Sequence, residues 1–497
     1  MWFASLPSAG VAVRPLASTF GVEVAGIDLT AALTDRQRCA VGHGIGQPAP
    51  PGPTAAQYRP FVSTAVREVA VAPEHRPSPA MTRRGFLSAA SGAALSLTAA
   101  GVLGGCTDTT SSPAGGSADS GPGGIPLGRP DRPVTLPLYD DSPAIAAGLA
   151  PEAGPLQVYT WVDYVGPKVI AEFRRRYGAS VQVTTFNSVD EAIAKLTSGA
   201  VHFDVATPGV ADLPRLVAGK LIRPLNLEYI PNLKANVWPP MANPWYDRGP
   251  RYTVPYGMSS TGISWRADKL PDFDPTALAN PYDAFWQATT VKGRVRMLDD
   301  QRHALSWALL RNGVKDINTG DQSLLDRAAA DLVDLVRRVN LKFANNDFET
   351  IPSGAVWLHE SWSGALVLAQ RYLPKGTPVD VLRYWWPGNA KGVPGGIVQN
   401  DLLVVLRGGR NPVLAHLFLN HLLDSATALQ SFAFTGFQQP LRGSEPDALV
   451  RAGLVPPNLR GTGLTQEQVA AGLVNAPLSE RATVLWQNAW TKVKAAS

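Results

Sequence analysis

Cysteine is almost absent from this chain: 497 residues carry two, Cys39 and Cys106. The two lie in segments of different character, which argues against a disulfide framework. Long apolar runs are missing as well. No stretch reaches the roughly 18–20 uninterrupted apolar residues of a membrane span; the nearest, 85–105, is broken by small and polar residues. Basic runs stop at Arg174-Arg175-Arg176, on what reads as a solvated helix face, so no nucleic-acid surface is expected. Motifs of the common enzymes are lacking too: no Gly-x-Ser-x-Gly, no Walker loop, no Cys/His metal spacing and no strand–GxGxxG–helix. The expectation is a protein that is not an enzyme and holds neither cofactor nor metal.

What the chain has is the balance of a globular protein, 45% apolar and 17% charged, with a net charge of +5. Its length exceeds one ordinary core, so two or more lobes are expected. Thirteen tryptophans, several near turns, suit flat or cationic ligands, although packing accounts for most tryptophans in most proteins.

The first hundred residues read as delivery. Met81-Thr82-Arg83-Arg84-Gly85-Phe86-Leu87-Ser88, a small-residue and Leu-rich core, and Leu103-Gly104-Gly105-Cys106 follow in the order of a secretory signal. The block resembles a twin-arginine signal ending in a lipobox, which implies export, acylation of Cys106 and a lipid anchor. Signals start at an N-terminus, so Met81 is a plausible start and residues 1–80 are expected to be an upstream extension, Pro/Ala-rich and without period over 46–80. Within that extension, 13–35 resemble the opening of the taurine dioxygenase family but carry none of its iron ligands. An iron site would have to use His202-x-Asp204 with His416 or His421; the plainer reading puts that triplet at the end of a buried strand. Residues 107–132, rich in Ser, Gly, Pro and Thr, read as a flexible tether, and 133–155 as a surface segment.

Regular periodicity starts at Leu156. Leu156–Thr160, Val181–Phe186 and Phe203–Ala206 read as strands. Helices between and after them begin at Pro167, at Ser188 with Glu191 in capping-box spacing, and at Val210. Strand–helix alternation implies an α/β protein with a parallel sheet and a ligand site beyond the carboxyl ends of the strands. A second series follows: strands at Tyr252–Tyr256, Gly262–Trp265, Val295–Leu298 and Ala355–Leu358, helices at His303–Leu310, Leu324–Asn340, Ala365–Tyr372, Pro412–Asp424 and Gln466–Val474, and a last helix carrying Trp486 and Trp490.

Strand ends in this reading carry Trp161, Asp163, Tyr164, Asp299, Asp300, Glu360, Trp362 and Asp401. Carboxylates accept from ammonium groups, and aromatic faces attract the same cations and pack on methylenes. Each residue also has a plainer role: Trp161 in a core, Asp163 as cap of the helix near Pro167, Asp299 or Asp300 as cap of the next helix, Glu360 and Asp401 as surface charges. A carboxylate pair would also suit a glycosidase, although nothing favours a sugar over an amine.

VYTWVDYVGPKVIAEFRRRYGASVQVTTFNS, YTVPYGMSSTGISW, MLDDQRHAL and GGIVQNDLLVV resemble blocks of the bacterial periplasmic polyamine-binding proteins, the spermidine/putrescine receptors of ABC importers. The resemblance spans about 133–495. It implies a two-lobed type 2 periplasmic-binding fold, each lobe a mainly parallel sheet flanked by helices, with two crossovers and lobes at 155–262 with 396–445 and at 263–395 with 446–497. It further implies a monomeric receptor that hands a polyamine to an ABC permease and its ATPase, with Trp161, Asp163, Tyr164, Asp300 and Asp401 on the ligand. Trp362 is added as a displaced cage tryptophan beside Ser361. The pattern is broken where the family has Ser and Tyr and this chain has Gly209 and Ala211, where an acid is replaced by His303, and where a cage Trp is replaced by Gln399. Another small solute in the same fold is therefore the nearest alternative.

Overall fold

The computed structural model describes residues 12–15, 22–25, 120–390, 392 and 395–497. The chain divides into two compact units, Met1–Thr107 and Asp108–Ser497. In the first, β1 (Ala12–Pro15) pairs antiparallel with β2 (Val22–Ala25), Ala12 opposite Ala25. The export and acylation block, including Cys106, lies outside the described residues, as does most of 13–35.

The second unit begins its sheet with β3 (Leu156–Trp161). Helix α1 (Pro167–Tyr177) follows, opened by its proline, whose missing N–H costs nothing in the first turn, and closed by Gly178 at φ 72, a left-handed cap that glycine adopts freely. Val169 and Phe173 are its buried stripe. Then come β4 (Val181–Phe186), α2 (Val189–Thr197), whose first turn donates Glu191 N–H to Ser188 Oγ at 3.2 Å, and the short β5 (Val205–Ala206). β3 lies parallel to both β4 and β5.

Two long strands then carry the chain out of this sheet and back. β6 (Thr253–Arg266) is a single 14-residue strand, buried throughout; the Gly257–Thr261 segment expected to split it is part of it. β11 (Ile397–Val405) runs antiparallel to β6, with a register shift between Asn400 and Leu402. Beyond the crossing, β6 is flanked by β9 (Leu358–Trp362) and β10 (Leu382–Trp385), and β9 leads to β7 (Val295–Met297) and β8 (Lys342–Phe343). The order is β4-β3-β5-β11-β6-β9-β7-β8. The parallel strands on each side and the two crossing strands make the two-lobed α/β architecture expected from the sequence.

The second lobe's core packs Ile263, Val295, Met297 and Leu358 against α3 (Gln301–Arg311), α4 (Gln322–Val339) and α8 (Glu480–Lys494, taking α5–α7 for Ser363–Ala369, Pro412–Leu422 and Ser425–Thr435). Three expectations change. The helix expected over Gln466–Val474 stops at Ala471, after which Leu473–Val474 forms β12, parallel to β11 at Ile397–Val398. The strand expected before His359 is Leu358–Trp362 itself. Within the tether segment, Ile125 is buried in the core around β3–β5, as is Leu136 just beyond it, and Leu127 is buried too, so the segment is anchored at these positions rather than loose throughout.

Candidate functional site

The first lobe presents its polar groups at the ends of β3, β5 and β11. Trp161 closes β3 with its ring edge-on to Phe186 at 4.6 Å. Asp163 follows, exposed, in a left-handed conformation (φ 55) that Asp tolerates better than most residues. It does not cap α1: Gly166 occupies that position without a side-chain bond. Tyr164 turns inward and is buried. Its hydroxyl donates to Asp401 Oδ2 at 2.5 Å, and its ring packs edge-on against Tyr256, whose own hydroxyl donates to the Tyr164 carbonyl at 2.8 Å. Burial and the Asp401 charge hold the Tyr164 phenol protonated, well above its ordinary range.

Asp401 sits at the register shift of β11, where Gly209 bridges to it. Burial pushes its carboxyl up to about 6, against the opposing pull of the Tyr164 hydroxyl. Asp401 is therefore no casual surface charge. The approach of Tyr164 depends on Gly257, because a Cβ there would fall 2.1 Å from the tyrosine oxygen. Gly257→Ala is expected to drive the ring off Asp401 and move the Asp401 titration upward, readable by carboxyl NMR; an unmoved titration would refute this.

A carboxylate not anticipated from sequence joins this wall. A Cβ on Gly209 would have Asp212 Oδ2 at 3.4 Å and Asp401 Oδ1 at 4.0 Å, so both carboxyls flank one glycine. Burial raises Asp212 to about 7; Arg215, 4.0 Å away, opposes this, while Asp190 and Asp401 add to it. The signal was hidden because an acid in the first turn of a helix reads as a partner of the helix dipole.

The second lobe supplies Asp300, His303 and Trp362. Asp300 caps α3 through Oδ1, accepting from Arg302 N at 2.7 Å and His303 N at 3.2 Å. Asp299 does not join it: it is exposed and paired with Lys494 at 2.8 Å. Glu360 also departs from expectation. It lies mid-strand in β9, fully buried, accepts from Leu298 N at 3.2 Å, and burial holds its carboxyl well above the usual range. Trp362, at the end of β9, donates its indole N–H to His303 Nε2 at 3.3 Å. His303 Nδ1 lies 2.9 Å from Thr261 Oγ1, and Nε2 lies 2.7 Å from Gln399 Oε1. The two broken family positions, His303 and Gln399, are thus partners. Burial holds His303 below its ordinary range and so neutral near pH 7. Behind Asp300, the Arg302 guanidinium stacks on Trp486 at 4.6 Å and donates to Asn318 Oδ1 and the Ala476 carbonyl.

The iron-site residues are spent elsewhere. Asp204 accepts from the backbone of Gln157, Arg410 and Asn411 and from the Asn411 side chain, at 2.7 to 3.0 Å. His202 is exposed and lies 3.1 Å from the Gly408 carbonyl. His416 accepts from Asn226 N–H, and His421 lies against the Val169 carbonyl. Asp204→Ala orphans several buried donors at once and is expected to cost about 3 kcal/mol or more in denaturant unfolding; a loss under about 1 kcal/mol would contradict its role as a staple.

A mixed sheet whose two halves are joined by two crossing strands, with carboxylates and aromatics gathered at the crossing, defines a two-lobed solute receptor. The chain belongs to the bacterial extracellular solute-binding proteins, whose family model matches residues 168–451. It is 27% identical over 299 residues to the spermidine/putrescine-binding periplasmic protein of Escherichia coli, covering 60% of this chain and 80% of that one. Among solved structures it resembles the TpPotD lipoprotein of Treponema pallidum (TM-score 0.58, 22% identity, 68% of this chain and 98% of that one). It also resembles a putative spermidine/putrescine transporter protein of Listeria monocytogenes (TM-score 0.57, 20% identity, 69% and 99%). The family acts outside the cytoplasm.

Proposed function

We propose that this protein is the substrate-binding subunit of an ABC importer and that it takes a polyamine of the putrescine or spermidine class between its lobes. The carrying observation is the Tyr164–Asp401 pair at the crossing, with Asp212 beside it and Asp300 on the other lobe. Asp401, Asp212 and Asp163 accept from one ammonium end; Asp300, whose cap engages Oδ1, offers Oδ2 to the other. Trp161 and Trp362 pack on the methylenes. The names of the relatives support the ligand class. Lobes at 155–262 with 396–445 and 263–395 with 446–497 close on the ligand and present it to the permease, without chemical turnover. Export by the twin-arginine route and acylation at Cys106 complete the proposal; mass spectrometry of the mature N-terminus tests them. Titration calorimetry with putrescine and spermidine tests the ligand, and no heat with any polyamine sinks it. The His303–Gln399 contact favours a second reading, an amine other than the plain polyamines, which a thermal-shift screen of amines, amino acids and organic anions separates.

A further inference from the structure

Between the two places where β11 gains its outer neighbour there is a gap. On one side Gly209 bridges to Asp401; on the other β12 pairs with Ile397 and Val398. Gln399 and Asn400 lie between, and among the described residues no strand pairs with them on that edge. The gap opens onto a cavity of about 110 Å³ walled by Trp238, Met241, Trp245, Met258 and Val398. Val210 and Gln399 line it as well. Val210 follows Gly209, and Gln399 touches His303, so the cavity borders the amine site through both residues. Among its polar lining groups, Asn400 donates its amide to Tyr246 at 3.0 Å while its Oδ1 is buried without a partner, as is the Trp238 indole nitrogen.

We infer that the cavity receives a compact apolar group of the ligand, so that the preferred solute is an amine bearing a branched-alkyl substituent of about four to five carbons. This rests on the proposed amine reading of the Asp401 site. The size follows from the volume: an apolar protein cavity of about 150 Å³ holds benzene, and this one is somewhat smaller. The walls are apolar and aromatic, with two methionines that adapt to irregular shapes. An unsubstituted diamine would leave those walls unused. The gap lets a substituent leave the cleft beside Asp401 without breaking a strand pair, and Asn400 Oδ1 accepts an N–H from a secondary ammonium at its mouth.

The test compares putrescine with N-(3-methylbutyl)putrescine by titration calorimetry on the full chain, native and Ala470→Trp. Ala470 lines the cavity and is exposed, so an indole there can fill the space from the surface; a melting curve checks that the variant folds. The substituted amine is expected to bind the native protein about tenfold tighter than putrescine or better. Ala470→Trp is expected to erase that advantage and leave putrescine within about twofold. Equal or weaker binding of the substituted amine to the native protein overturns the cavity assignment while leaving the polyamine reading intact. So does an Ala470→Trp effect of the same size on both ligands. Binding of neither amine overturns the polyamine reading and the cavity assignment with it.

Discussion

Asp401→Ala is expected to weaken polyamine binding by about 3 kcal/mol, roughly two orders of magnitude in Kd, because it removes a desolvated charge from one end of a charge-assisted pair. Asp401→Asn keeps an oxygen for the Tyr164 hydroxyl and should lose nearly as much, which separates charge from shape. Tyr164→Phe should lose less, about tenfold, since it removes an orienting bond and leaves the carboxylate. None of these should unfold the protein. Asp401 is held above its ordinary range by burial, so its ionised form is a burden on the folded state at pH 7, and Asp401→Asn should leave the melting temperature unchanged or higher. Calorimetry and a melting curve on the same samples check both halves. Unchanged affinity in Asp401→Ala would place the ligand elsewhere.

How much of this was legible in the sequence depended on how local the signal was. The β3–α1–β4–α2 series could be read almost residue by residue, because proline, the Gly178 stop and the Ser188 cap act within a few positions. In sequence β6 reads as two strands, since Gly257 and the Ser-Ser-Thr run after it look like a turn. They are strand because Tyr164 packs onto the glycine and β11 pairs across it, both distant in sequence. The same holds for the site. Trp161, Asp163 and Tyr164 sit beside a readable strand end. Glu360 reads as a strand-mouth residue because the apolar run before it ends at Leu358, yet it lies within the strand and burial takes it out of the cleft. In sequence either Asp299 or Asp300 can cap the next helix; the cap falls on Asp300, and Lys494 takes Asp299, a partner 195 positions away. Asp212 could not be seen at all, because its place beside Asp401 is made by a bridge between Gly209 and a strand near the far end of the chain.

Polyamine affinity should fall steeply as pH drops from 8 to 5, by roughly tenfold per unit below the midpoint for each carboxylate that must ionise. Asp401 titrates at about 6 and Asp212 at about 7, both raised by burial, whereas the ligand's ammonium groups stay charged throughout. Binding then has to expel protons in this window, and calorimetry in buffers of different ionisation enthalpy should register their release. The apo protein should respond in the opposite sense. Both carboxyls bind protons more tightly folded than at their ordinary value of 3.8, so between that value and 6 to 7 the native state holds more protons than the unfolded one. Their contribution to stability therefore falls as pH rises through the window and grows as pH is lowered. Asp401→Asn should remove its share of that slope, seen as a smaller difference between melting temperatures at pH 5 and pH 7.5. Tyr164→Phe takes away the hydroxyl that holds Asp401 down, so it should move the midpoint of the affinity profile to higher pH, where a merely structural loss would lower affinity at every pH and leave the midpoint in place. A flat affinity profile between pH 5 and 8 would mean that neither Asp401 nor Asp212 meets the ligand.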